Sequence, residues 1–192
     1  TRASGNADDL NRLVGQLLDF ARIDADRVRL RPQVLTARAV VDAAVGSLAP
    51  ALAEHRVEVE VAATLAVTAD ENAVSQILAN LLTNAAKFSP AGTCIAISGR
   101  AADDEVVLSV SDDGPGVGPE DHDRVFERFY QAPQTAAARP GTGIGLTIAQ
   151  RFTELQGGRI WVDRHGGSGA TFSFSLPAAG AADRQLSEVT QR

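Results

Sequence analysis

The chain has no methionine, one cysteine, one tryptophan, one tyrosine and three histidines in 192 residues, and each scarcity closes a route. A lone Cys94 excludes an internal disulfide framework, and three scattered histidines argue against a dedicated zinc site. No apolar run approaches the roughly 20 residues of a membrane span, and no basic region followed by an apolar stretch opens the chain; neither a transmembrane helix nor a signal peptide is read. Positive charge is also short. With 18 Lys and Arg against 24 Asp and Glu, the net charge of -6 argues against electrostatic capture of nucleic acid or an anionic membrane. An anionic ligand would have to be held locally, by a helix N-terminus, one placed lysine and a divalent cation. The missing methionine and the start at Thr1 point to excision from a longer polypeptide, this segment of which is expected in the cytoplasm.

What is present suits a globular protein: 44% hydrophobic residues can bury a core of about one to one and a half domains. From Asp8 to Asp26, Leu10, Leu13, Val14, Leu17, Leu18 and Ala21 form a stripe at three and four spacing, an amphipathic helix stopped by Arg31-Pro32. It is either packed on its own domain or cut from a helical hairpin or dimer bundle, and the heptad-like stripe favours the latter. A second helical pattern covers Thr36 to Glu54 with Thr36 as N-cap. Alternation at Val57 to Val61 and Leu65 to Val67 predicts strands, and Asp70 can cap a helix that runs to about Phe88 before Ser89-Pro90. Strands are expected at Cys94 to Gly99 and Val106 to Ser111 across the turn Asp103-Asp104-Glu105. A long glycine- and alanine-rich connection from Gly114 to Gly143 then leads into a helix over Leu146 to Leu155. A last pair of strands, Arg159 to Asp163 and Ala170 to Leu176, precedes a tail expected to fray after Pro177.

Three boxes carry chemistry. Asn80, Asn84 and Lys87 share one helix face at i, i+4 and i+7. An asparagine amide oxygen is a hard ligand suited to Mg²⁺, Lys87 can meet phosphate as a point donor, and Phe88 can cover a purine. Asp112, at a strand end, can accept from an exocyclic amino group, while Gly114 and Gly116 let the backbone turn close to a flat base. Gly141-Thr142-Gly143-Ile144-Gly145-Leu146 opens into a helix whose free N–H groups and partial positive charge suit phosphate. Taken singly, these are equally a solvated helix face, an acidic turn and a glycine linker. The third is neither a Walker A loop nor a dinucleotide fingerprint. Their order and spacing carry the reading of an ATP-binding domain.

Residues from about Leu10 to Pro177 resemble the catalytic ATP-binding domain of two-component sensor histidine kinases with the end of the dimerisation domain attached. Asn80 to Phe88 resembles that family's Asn box, Asp112 to Gly116 its first glycine box, Val125 to Tyr130 its Phe box and Gly141 to Leu146 its second glycine box. Leu17 to Ala25 resembles the end of its second dimerisation helix.

The resemblance implies an α/β fold, a two-layer sandwich with a mixed, mainly antiparallel sheet and helices on one face, after an N-terminal amphipathic helix. It implies three parts: 1–31 dimerisation helix and linker, 32–177 catalytic domain, 178–192 flexible tail. By the same resemblance Asn84 binds Mg²⁺ with Asn80 in support, Lys87 contacts phosphate and Asp112 accepts from adenine. Gly141, Thr142, Gly143, Gly145 and Leu146 line the phosphates, while Phe126 and Phe129 anchor a mobile lid.

MgATP would donate its γ-phosphate to a histidine on the missing dimerisation domain, and a response regulator and a homodimeric parent follow as partners. Any membrane anchor, such as one in the bacterial inner membrane, would lie in that parent. Two departures stand out. The His-plus-acidic phosphoacceptor box is absent, since His55, His122 and His165 lie in other contexts, so this fragment should not phosphorylate itself. Gln131 stands where many relatives have arginine, leaving Arg128 and Arg139 as lid cations. The competing readings are another ATPase or serine kinase of the same superfamily, and a regulatory module or scaffold.

Overall fold

The computed structural model describes residues 29–132, 141–163 and 169–180. The expected N-terminal helix, Arg139, the turn around His165 and residues 181–192 lie outside them.

Among the described residues the first element is a short strand, β1 (Gln33–Thr36), which passes directly into helix α1 (Ala37–Ser47). Thr36 occupies the N-cap position but makes no side-chain capping bond. The first N–H of the helix is met instead by tertiary structure, with Ala37 donating to the Leu65 carbonyl at 2.9 Å. The helix expected to run on to Glu54 is broken at Leu48. Pro50 lacks an N–H and fits only the first turn of a new helix, which restarts as the single turn α2 (Ala49–Leu52).

Strands β2 (Arg56–Glu60) and β3 (Ala66–Ala69) follow, then the long helix α3 (Glu71–Phe88). Its start is over-determined. Asp70 Oδ1 accepts from the Ala73 N–H at 3.0 Å, and its Oδ2 accepts from the Arg31 N–H at 2.7 Å. The Asp70 N–H in turn donates to Gln156 Oε1 at 2.8 Å. The predicted cap therefore also ties the incoming chain and the end of a distant helix to α3.

Strands β4 (Cys94–Ala102) and β5 (Glu105–Asp112) form a hairpin longer than its alternation suggested. Glu105 belongs to the strand and not to the turn, which leaves Asp103 to take the left-handed conformation, φ 51°. Two 3₁₀ turns, Pro119–Asp121 and Arg124–Phe126, punctuate the connection to helix α4 (Gly145–Leu155), and β6 (Ile160–Val162) and β7 (Ala170–Pro177) close the fold.

The main sheet has the order β2-β4-β5-β7-β6, parallel only between β2 and β4, and β1 pairs with β3 in a separate two-stranded ribbon. Register decides its faces. Ile97, Val110 and Phe172 stand in one row and Leu108 and Phe174 in the next, turned toward the buried sides of α1, α3 and α4 in one apolar cluster. The alternate positions carry hydroxyls: Ser109 bonds Ser173 and Ser111 bonds Thr171, each at 2.8 Å. The two-layer expectation therefore holds, with helices on one face. Past Pro177, the Ala178 and Ala179 N–H groups donate to the Asp104 and Ala66 carbonyls at 2.8 and 2.9 Å. No described helix is long and apolar enough to cross a membrane.

Candidate functional site

Helix α3 acts as the rail on which the site is assembled. Val74, Ile77, Leu78, Leu81, Leu82 and Ala85 are buried, and this fixes the rotation of the helix about its axis. Asn80, Thr83, Asn84 and Lys87 are thereby turned toward a cavity of about 540 Å³. Along the roughly 12 Å of rail from Asn80 to Phe88, three glycines from two other segments meet it in order. Gly145, the first residue of α4, faces the Asn80 amide, so that a Cβ there would stand 3.3 Å from Oδ1. Gly141 faces Lys87, with 2.6 Å from such a Cβ to Nζ. Gly114 faces the carbonyl of Phe88.

The rail ends beside Asp112 at the last position of β5. Burial pushes its carboxyl above the ordinary carboxylate value, opposed by N–H donation from Gly114 and Ala170. The Gly114 N–H reaches Oδ1 at 2.8 Å. A half-buried carboxylate at the cavity edge is an acceptor poised for a donor on a ligand. Gly169 makes this turn possible: its φ is +96°, a Cβ would lie 2.2 Å from the Asp112 carbonyl, and its N–H donates to the Gly114 carbonyl at 2.8 Å.

The opposite wall comes from the connection between the glycine boxes. Phe126 is buried and meets Phe172 edge-on, centroids 6.4 Å apart, while Phe172 itself lines the cavity. Thr147 on α4 donates to the Phe126 carbonyl at 2.9 Å, pinning the same residue from the other side. Phe129 differs from the expectation of a second aromatic anchor. Its side chain is 66% exposed and its φ is 62°, and it is the backbone that holds, with the Phe129 N–H donating to the Gly143 carbonyl at 2.9 Å. Gly143 must be glycine here, because φ is +66° and a Cβ would lie 2.6 to 2.8 Å from the Phe129 and Tyr130 backbone.

Tyr130 lines the cavity, donates to Asp121 Oδ1 and lies under the Arg124 guanidinium at 4.3 Å. That bond to Asp121 is the main reason its hydroxyl titrates above the ordinary tyrosine value.

The cavity thus brings together Asn80, Asn84, Lys87, Phe88, Asp112, Gly116, Gly141, Thr142, Gly143, Gly145 and Leu146. Gly114, Phe126 and Phe129 shape it from behind or outside, and the exposed Arg128 does not line it. Val125, Tyr130 and Gln131, read within or just after the Phe box but not as site residues, also line it, and sequence reasoning missed Ala51, Val117, Ala132, Ala170 and Phe172. The inward phase of β7 would have found Phe172. Nothing local marks the rest.

Among the described residues no three His, Cys, Asp or Glu side chains group into a metal cluster, so a cation here would rest on amide oxygens and the ligand's own oxygens. Asn80 is 4% exposed and its Nδ2 has no hydrogen-bond partner, an orphan that costs about 1–3 kcal/mol until something polar meets it. The site is therefore polar and incomplete at the α4 end and acceptor-bearing at the Asp112 end.

Comparison with known proteins agrees with this arrangement. Residues 69–180 match the family model described as histidine kinase-, DNA gyrase B-, and HSP90-like ATPase. The chain is 33% identical over 175 residues to the histidine protein kinase DivJ of Caulobacter vibrioides, covering 86% of this chain and 28% of that protein. It is 38% identical over 116 residues to the sensor histidine kinase WalK of Bacillus subtilis, covering 59% of this chain and 19% of that protein. It thus spans less than a third of the length of either relative.

Among solved structures, full-length ShkA in complex with AMPPNP superposes with a TM-score of 0.79 at 33% identity, over 91% of this chain and 37% of that one. The mycobacterial sensor histidine kinase MprB gives 0.69 at 27% identity, over 77% and 98%. The match begins at Ala69, on the threshold of the Asp70 cap, and takes in α3, the Asp112 turn and both glycine boxes. The chain belongs to the family of histidine kinase-, DNA gyrase B-, and HSP90-like ATPases.

Proposed function

We propose that this chain binds MgATP and presents its γ-phosphate to a histidine on a separate dimerisation domain, as the catalytic part of a two-component sensor kinase. The observation that carries this is the single cavity in which the Asn-box face of α3, Asp112 and the glycine-led start of α4 converge. The relative solved with AMPPNP supports the same reading.

Adenine would lie between Phe88 and the Gly114–Gly116 turn with its amino group donating to Asp112. The phosphates would run along α3 toward Gly141, Gly143 and Gly145, where Lys87 and the free N–H groups at the start of α4 meet their charge. Asn84 would hold Mg²⁺ through its amide oxygen, and Asn80 would use its unpartnered amide to orient that shell. Mg²⁺ held there would supply charge neutralisation for the phosphates, and this chain's own part in phosphoryl transfer would be positioning and electrostatic stabilisation.

The nucleophilic imidazole comes from the partner domain, and a response regulator receives the phosphoryl group next. In the longer parent that partner belongs to a homodimer, with this domain in the cytoplasm.

The test is to mix the chain with a separate histidine-bearing dimerisation domain and γ-labelled MgATP. Label should collect on the partner's histidine and none on this chain. Intact nucleotide binding without transfer to any such domain would sink the kinase reading.

A further inference from the structure

We infer that Gln131 is a positioning residue that clasps the second glycine box in its phosphate-binding shape through the Gly141 carbonyl; this deepens, and rests on, the MgATP reading above. Gln131 lines the cavity, and its Nε2 donates to the Gly141 carbonyl at 2.6 Å across ten positions of chain. Two residues away on each side, the Phe129 N–H donates to the Gly143 carbonyl at 2.9 Å. The segments 129–131 and 141–143 therefore run antiparallel in one register. The first rung is backbone to backbone; the second is made by a side-chain amide, the same donor group as a peptide N–H.

The second rung falls at a sensitive place, because Gly141 also faces Lys87, where a Cβ would stand only 2.6 Å from Nζ. A carbonyl oxygen left open beside phosphate oxygens would be repulsive, and Gln131 occupies the Gly141 carbonyl with a donor. Holding it before the ligand arrives also lowers the ordering cost of binding. A neutral amide does this without adding a charge of its own to the cavity. The effect should therefore be confined to ligands that carry phosphate.

Calorimetry on the full 192-residue chain with MgATP and with adenosine tests it, using Gln131→Met, which keeps the length without the donor, and Gln131→Glu, which puts a carboxylate against the carbonyl. MgATP affinity should fall about three- to tenfold in the methionine variant, the range of one neutral hydrogen bond. The loss should be greater in the glutamate variant, while adenosine affinity and the nucleotide-free melting temperature stay at wild-type values. Equal MgATP affinity in wild type and Gln131→Met overturns the clasp. So does a parallel loss for adenosine, which would mark a merely structural residue. If the wild-type chain binds neither ligand, the MgATP reading fails first and takes the clasp with it.

Discussion

Helix α3 and the connection from Val117 to Ala132 form facing walls of one cavity, yet they are held by different physics. The helix is capped at Asp70 and buries a continuous apolar face, so its polar side chains are aimed by the whole core. The connection contains only two three-residue 3₁₀ turns, braced internally by the Tyr130 bond to Asp121, and is tied to the rest at discrete points: the Phe126 ring with Val117 and Val125 against the core, the Thr147 bond to the Phe126 carbonyl, and the Phe129–Gly143 and Gln131–Gly141 rungs. A wall fixed by many contacts opens only with the global fold, whereas one fixed by few can open locally at small cost. For a site that must admit and release a nucleotide, a rigid rail facing an adjustable wall is a workable division.

The sharpest way to break this comparison is to remove the two phenylalanines of the connection one at a time. Phe126→Ala should destabilise the fold by about 3–5 kcal/mol, as for other buried aromatics. Phe129→Ala should cost no more than about 0.5 kcal/mol. Similar midpoints in denaturant unfolding would show that the connection is core throughout.

Saturation links the two walls. MgATP at about 100 times its dissociation constant should add roughly 2.7 kcal/mol. In a chain of this size that raises the melting temperature by roughly 5 to 10 °C. An unmoved melting curve at saturating nucleotide is the contrary result.

A third change separates binding from stability at the end of the rail. Asp112→Asn should weaken MgATP by about tenfold or more, the scale of one bond to a charged acceptor. The nucleotide-free protein should not lose stability, since the carboxylate is held charged against its burial. The sign follows from linkage. A carboxyl whose folded value is raised contributes stability below the unfolded value and loses it as pH rises through the folded one. Wild type should thus lose stability relative to Asp112→Asn across that window, as thermal unfolding at stepped pH would reveal. Equal nucleotide affinity would remove Asp112 from the site.

The smallest expected effect is at the head of the rail. Asp70→Ala should cost about 1 kcal/mol from the lost cap. Because the same carboxylate also receives the Arg31 N–H, hydrogen exchange at Arg31 should rise along with exchange at Ala73. Protection lost at Ala73 alone would show that Asp70 caps the helix without tying down the incoming chain.

Most of the elements were legible because burial on one side imposes a period. The stripe on α3 and the alternation on β5 and β7 each appear in the sequence as spacing, and the Asp70 cap as a residue type in its place. The break at Leu48 was also written, in Pro50, but the apolar stripe running across it masked the signal. Glu105 was misplaced because acidic residues favour turns while register decides strand ends. The cavity was half legible. The glycines and polar residues of the boxes announce themselves by unusual type, whereas Val117, Val125, Ala170 and Phe172 look like any core residue until the sheet and the connection bring them together.

By itself, then, the sequence determined the rail, the acceptor at the end of β5 and the glycine-led start of α4, because periodicity, capping and backbone freedom are local properties. Only the tertiary structure decided that Phe126 is an anchor and Phe129 is not, that Tyr130 bonds Asp121, and that Gln131 closes on Gly141. Those outcomes depend on where two distant stretches of chain meet. No local pattern encodes the distance between them.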